Sequence, residues 1–210
     1  MAHVLIIGAS RGIGLETVRL ALESGHQVRA LARSADDIAI THAGLEKLNV
    51  SALEKSDIEN GIEGCDVVIT ALGASPTLQP VRLFSTSMGL VIDAMQRHGV
   101  RRLIAVTGMG AGDTRGLGGL LYAKLLQPLL LGPIYQDKNR EEAIIRQSDL
   151  DWTIVRPGFL TRFPRTGKYR ALTDPSQWES GFISRANVAD FLVQQINDET
   201  YFRQSPLLIE

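Results

Sequence analysis

The residues best suited to chemistry stand at the start of the chain. An apolar run over residues 4–7 leads into Gly8-Ala9-Ser10-Arg11-Gly12-Ile13-Gly14, and a helical apolar pattern then runs to Ser24-Gly25. Three glycines between a buried strand and a helix each have a use. Gly8 permits a tight turn, Gly12 lets the backbone approach an anionic ligand, and Gly14 lets the helix pack close to the sheet. The helix N-terminus adds unsatisfied N–H donors and partial positive charge. The chemistry implied is the binding of a pyrophosphate, with Ser10, Arg11 and Ile13 completing the cradle.

The second apolar run, residues 28–32, decides between dinucleotides. A site for NAD ends this strand with a carboxylate that accepts from the ribose 2′-hydroxyl. Here Arg33 and Ser34 follow, and Asp36 and Asp37 come only three and four residues after Arg33. A guanidinium offers a fork of donors matched to phosphate, and Arg11 is within reach of the same group. The cofactor expected is therefore NADP(H) in preference to NAD(H). Ligands of open α/β sheets lie across the carboxyl ends of the strands. That adds Asn49 and Val50, then Ala71, Leu72 and Gly73, then Thr107, and finally Pro157, Gly158 and Phe159 beside the nicotinamide.

The Gly8…Gly12-x-Gly14 spacing resembles the cofactor fingerprint of short-chain dehydrogenases/reductases. Three further stretches narrow the likeness: Gly108-Met109-Gly110-Ala111-Gly112-Asp113, residues 148–158 ending in Arg156-Pro157-Gly158, and Ile183-Ser184-Arg185 with Val188-Ala189. Together they resemble the small atypical members, the NAD(P)H-binding proteins similar to biliverdin reductase B (flavin reductase) and the NmrA-like proteins. The resemblance places Asn49 where the family has an aspartate beside the adenine. It also places Gly108 where relatives carry a serine and Phe159 where they carry a histidine.

Typical members of that superfamily use a tyrosine and a lysine four residues later as a proton relay. This chain departs from the pattern, because Tyr135 precedes Lys138 by three. That spacing still allows one helical face. Thr107, Tyr135 and Lys138 are thus the catalytic candidates, with Thr107 and Lys138 also orienting the nicotinamide ribose. The plainer alternative is that Lys138 only binds ribose or pairs with Glu142 at helical spacing. Hydride transfer to a conjugated ring needs mainly positioning, since solvent can supply the proton. The expectation is an NADPH-dependent reductase of a flavin-, quinone- or similar planar acceptor. The alternative is a non-catalytic NADP(H)-binding redox regulator of the NmrA-like kind.

Elements of regular length must hold these residues. Strands are predicted over residues 4–7, 28–32, 45–50, 67–71, 103–106, 152–155 and 206–209. Helices are predicted from residue 13, over 56–62 and 81–98, from near 135 to 148, and over 187–196 with Ser184 as its cap. Strand–helix alternation implies right-handed crossovers and a parallel sheet covered on both faces. The fold expected is a single Rossmann-type doubly wound α/β domain of three layers spanning residues 1–210. Segments 108–134 and 159–181 remain at the carboxyl edge for the substrate. The apolar zone 117–134 is read as a pocket wall, a protein-binding surface or a core closure.

Composition excludes other classes. With 44% hydrophobic and 21% charged residues among 210, the chain is neither disordered nor a coiled coil. A formal net charge of −1 offers no field for nucleic acid or an anionic membrane. The lone Cys65 excludes an internal disulfide, and the four scattered histidines argue against a metal site. Lys124, Gln127, Pro128 and Pro133 interrupt the longest apolar zone, so no membrane span is expected. No signal peptide is read at the N-terminus, and the setting expected is cytoplasmic. The family resemblance favours a monomer over a homodimer.

Overall fold

The computed structural model describes residues 1–114, 117 and 131–210. Short apolar runs bounded by glycines and polar turns become strands, and the amphipathic stretches between them become crossover helices. In chain order these are β1 (His3–Ile7), α1 (Gly12–Glu23), β2 (Gln27–Ala32), β3 (Leu45–Asn49), α2 (Lys55–Ile62), β4 (Val67–Thr70), α3 (Leu83–His98) and β5 (Arg102–Val106). Then come α4 (Gly132–Gln147), β6 (Asp151–Pro157), β7 (Phe159–Thr161), β8 (Arg170–Leu172), β9 (Phe182–Ser184), α5 (Arg185–Gln194) and β10 (Leu207–Ile209).

The main sheet has eight strands in the order β3-β2-β1-β4-β5-β6-β10-β8, and only the β10–β8 pair is antiparallel. The chain builds outward from β1 through β2 to β3, then crosses to β4 on the other side. That reversal between β1 and β4 is where ligands bind in such sheets. Ile7 pairs with Leu31 on one side and with Thr70 on the other, so the glycine turn emerges at this crevice.

Alternate strand residues feed two cores. Val4, Ile6, Val28, Ala30 and Ile69 pack with α1 and α5 on one face. Leu5, Ile7, Leu31, Val68 and Leu103 pack with α2, α3 and α4 on the other. The chain is therefore a single three-layer α/β domain, as the pattern predicts. Cys65 is buried in the second core, a small core residue.

Some details differ from the sequence reading. The stretch 159–181 is not plain loop, because β7 and β9 form a separate two-stranded parallel sheet and β8 closes the edge of the main one. Helix α4 begins three residues earlier than expected, with Pro133 in its first turn. Helix α5 starts at Arg185, and its cap is Ser184 as predicted, whose hydroxyl accepts from Asn187 N at 3.1 Å. The apolar zone 117–134 lies mostly outside the described residues, as does Arg115. Leu117 packs on Met109, Leu172, Leu207 and Ile209.

Candidate active site

The glycine turn has the geometry its residue types demand. Gly8 (φ +88°) lies so close to β4 that a Cβ there would stand 2.7 Å from the Ala71 carbonyl oxygen. Its N–H donates to Leu31 O at 2.9 Å, which fixes the turn against β2. A Cβ on Gly14 would come within 2.2 Å of Gly8 O, so α1 can approach β1 only without a side chain there. Gly12 (φ +60°) faces open space, with Arg185 Nε the nearest atom at 4.0 Å from its missing Cβ. The N-cap residue Arg11 makes no side-chain hydrogen bond to α1, and among the described residues no other side chain is seen to cap it. The N–H groups of Gly12, Ile13 and Gly14 are therefore the helix's open donors. The half-buried Ser10 and the exposed Arg11 stand just before them.

At the end of β2, Arg33 and Ser34 are exposed, and among the described residues neither Arg33 nor Arg11 has an ion-pair partner. Asn49 ends β3, and its side-chain oxygen accepts from Ala35 N at 3.0 Å. Asn49 thus fixes the loop that carries Arg33, which sequence reasoning did not foresee. Val50, Ala71 and Leu72 are half-buried and Gly73 is exposed along the same crevice. This open glycine cradle, with unneutralised cations beside it, fits a dinucleotide.

Helix α4 brings Tyr135 and Lys138 to the carboxyl end of β5, where Thr107 stands, but each of the three is already engaged. Thr107 is buried, and its hydroxyl donates to Glu142 Oε1 at 2.8 Å. With that proton engaged, Thr107 can only accept from a further group. Lys138 Nζ donates to Val106 O at 3.2 Å and lies 4.2 Å from the centre of the Phe84 ring. Tyr135 donates its hydroxyl proton to Met109 O at 2.9 Å. The alternative pairing of Lys138 with Glu142 is not what forms. Lys138 is buried, and Glu142 pairs instead with Arg156.

That pair is the feature the sequence reading missed. Arg156 is fully buried near the end of β6 and makes a fork to Glu142, 3.1 Å from Nε to Oε1 and 2.6 Å from Nη2 to Oε2. Gly112 (φ +52°) lies over it, where a Cβ would stand 2.1 Å from Arg156 Nη2. The loop is pinned there by Gly112 N donating to Asn139 at 2.8 Å. The glycines after β5 thus cover an ion pair that holds the Thr107 hydroxyl. A signal was present. An arginine ending a strand buried on both faces demands a carboxylate, and α4 supplies three.

The other acids of α4 have their own tasks. Asp137 accepts from Phe84 N at 2.8 Å and from the Ser85 hydroxyl at 2.5 Å, capping α3 from outside. Glu141 is buried, its Oε2 has no hydrogen-bond partner among the described residues, and burial pushes its carboxyl up to about 7. Burial pushes the neighbouring Lys138 ammonium down, against the pull of Glu141, Glu142 and Asp137. Pro157 and Gly158 are buried, and Phe159 follows with its ring tilted 5.7 Å from that of Phe182. Asp113 is exposed, 3.8 Å from Arg156.

Residues 8–199 match a family model described as NAD(P)H-binding. The chain belongs to that family. The likeness to small atypical short-chain dehydrogenases/reductases holds as well. ChuY, an anaerobillin reductase from Escherichia coli O157:H7, is 27% identical with a TM-score of 0.83, covering 99% of this chain and 97% of its own. A short-chain dehydrogenase/reductase from Veillonella parvula DSM 2008, solved in complex with NADP, has a TM-score of 0.81 over 100% of this chain and 94% of its own. At 20% identity that likeness is one of fold. The Bacillus subtilis (strain 168) protein YhfK, called an uncharacterized sugar epimerase, is 28% identical over 93% of this chain and 88% of its own length. Against the chloroplastic protein TIC 62 of Oryza sativa subsp. japonica, the chain spans only 42% of that protein's length. Among the described residues, no helix of this NAD(P)H-binding protein is long and apolar enough to cross a membrane.

Proposed function

We propose that this protein is an NADPH-dependent reductase that passes hydride to a flavin-, quinone- or similar conjugated planar acceptor. The carrying observation is the glycine cradle flanked by Arg11 and Arg33, cations without partners among the described residues. The open N–H groups of α1 bind the pyrophosphate. Arg33 and Ser34, where an NAD site has an acid, bind the 2′-phosphate. Asn49 keeps their loop in place through Ala35 N.

NADPH supplies the hydride when bound. Thr107 and Lys138 orient the nicotinamide ribose, with Thr107 accepting because its own proton goes to Glu142. Tyr135 donates its hydroxyl hydrogen bond to Met109 O rather than towards a substrate. An alcohol or ketone substrate needs such a proton relay. A flavin or quinone takes hydride at a ring atom and its proton from water. Phe159 and Phe182 add aromatic faces at the same edge, and Phe182 is 64% exposed.

The test is NADPH consumption with FMN, quinones and biliverdin-like tetrapyrroles, beside dissociation constants for NADPH and NADH. Turnover with at least one acceptor and tighter NADPH binding are expected. Arg33→Ala should weaken NADPH by about tenfold or more, the worth of a charge-assisted contact, and leave NADH nearly unchanged. Tight NADPH binding without turnover across the panel would replace this reading with the redox regulator. NADH binding equal to NADPH would remove the role given to Arg33.

A further inference from the structure

One cation at the crevice comes from the far end of the chain. Arg185 is the first residue of α5, set there by the Ser184 cap. Its Nε stands 4.0 Å from where a Cβ on Gly12 would be, so guanidinium and glycine turn border the same gap. One Nη donates to Thr161 O at 2.8 Å, which aims the group. Among the described residues no carboxylate lies within ion-pair distance of it. Of the arginines on the neighbouring segment, Arg165 pairs with Asp190 and Arg170 with Glu179, while Arg162 is exposed and unpaired among the described residues. A half-buried guanidinium is thus held without a counter-anion beside the open end of α1, where positive charge already accumulates. Two cationic features this close repel unless an anion lies between them.

We infer that Arg185 is a pyrophosphate ligand, closing from α5 the phosphate cradle that the glycine turn opens from α1. The fork geometry suits a phosphate oxygen pair. Its bond to Thr161 O links the cradle to the end of β7, the strand that begins at Phe159. The assignment rests on the dinucleotide reading above. It does not depend on the choice between NADPH and NADH, because both carry the pyrophosphate.

The experiment titrates NADPH, NADH and 2′-AMP into the full chain and into Arg185→Gln and Arg185→Lys. Arg185→Gln keeps a donor for Thr161 O and loses the charge. It should weaken NADPH and NADH alike, by about tenfold or more. Binding of 2′-AMP, which has no pyrophosphate, should stay at the wild-type value. Arg185→Lys should recover part of the loss. Wild-type dinucleotide affinity in Arg185→Gln would overturn the assignment and leave the cofactor reading standing. So would an equal loss of 2′-AMP, which would mark a general collapse of the site. If Arg33 fails as the 2′-phosphate ligand, NADPH and NADH bind alike in the wild type, yet both still weaken in Arg185→Gln. A wild-type chain that binds no dinucleotide would overturn both.

Discussion

Replacing the two partners of the Glu142–Arg156 pair, singly and together, tests whether one buried unit holds the Thr107 end of the site. Both side chains are almost wholly buried, 3% and 0% exposed, and two hydrogen bonds join them. Removing one partner of such a pair leaves an uncompensated buried charge, at a cost of about 3–5 kcal/mol. In a chain of 210 residues that lowers the unfolding midpoint by about 6–20 °C. Arg156→Met should be at the upper end. The other cation near Glu142 is Arg146, 3.8 Å away and 40% exposed, too solvated to substitute. Glu142→Gln keeps an amide oxygen to accept from Thr107 but leaves the Arg156 charge, which cannot be shed, without its carboxylate. Arg156→Met with Glu142→Gln removes both charges and should be less destabilised than Arg156→Met alone, with a coupling of about 2 kcal/mol or more. Thermal and urea unfolding of the four proteins measure this. Effects that add to within about 0.5 kcal/mol would show that Glu142 and Arg156 do not act as one buried unit.

Two further outcomes follow from the same geometry. Glu141, pushed from 4.5 to about 7, holds its proton more tightly folded than unfolded, so the chain should lose stability as pH rises from about 4.5 to 7, by on the order of 3 kcal/mol. Glu141→Gln should flatten that slope, gaining on the wild type at pH 8 relative to pH 4; an unchanged slope in chemical denaturation would contradict it. Gly14→Ala puts a methyl 2.2 Å from Gly8 O and should push α1 off β1, costing about 1–3 kcal/mol and most of the dinucleotide affinity. Wild-type binding by titration calorimetry would show the close approach to be unnecessary.

The legible parts of this chain are those fixed locally. Gly8, Gly12 and Gly14 reveal a turn because positive φ and close backbone approach select glycine whatever lies elsewhere in the fold. The unbroken apolar runs of β1, β4 and β5 reveal a doubly covered sheet. Strands β7, β8 and β9 are three residues each, too short to show a period, and they form only because β10 and each other supply partners. Helix α4 misleads for a different reason. Asp137, Lys138, Glu141 and Glu142 look like a solvated face, yet all four are buried. Their partners are the N-terminus of α3, the Val106 carbonyl and Arg156, none of which is near them in sequence. Asn49 is similar: it is placed at a strand end as expected, but its oxygen is used on the Ala35 loop.

The most direct test of the central claim is a single-turnover experiment. The protein, preloaded with NADPH, is mixed with FMN or a quinone, and loss of NADPH absorbance is followed alongside reduction of the acceptor. The two signals should move together, one acceptor reduced for each NADPH consumed, and Tyr135→Phe should retain the reaction because the acceptor's proton comes from water. Tight NADPH binding with no acceptor reduced, or a reaction abolished by Tyr135→Phe, would contradict the claim.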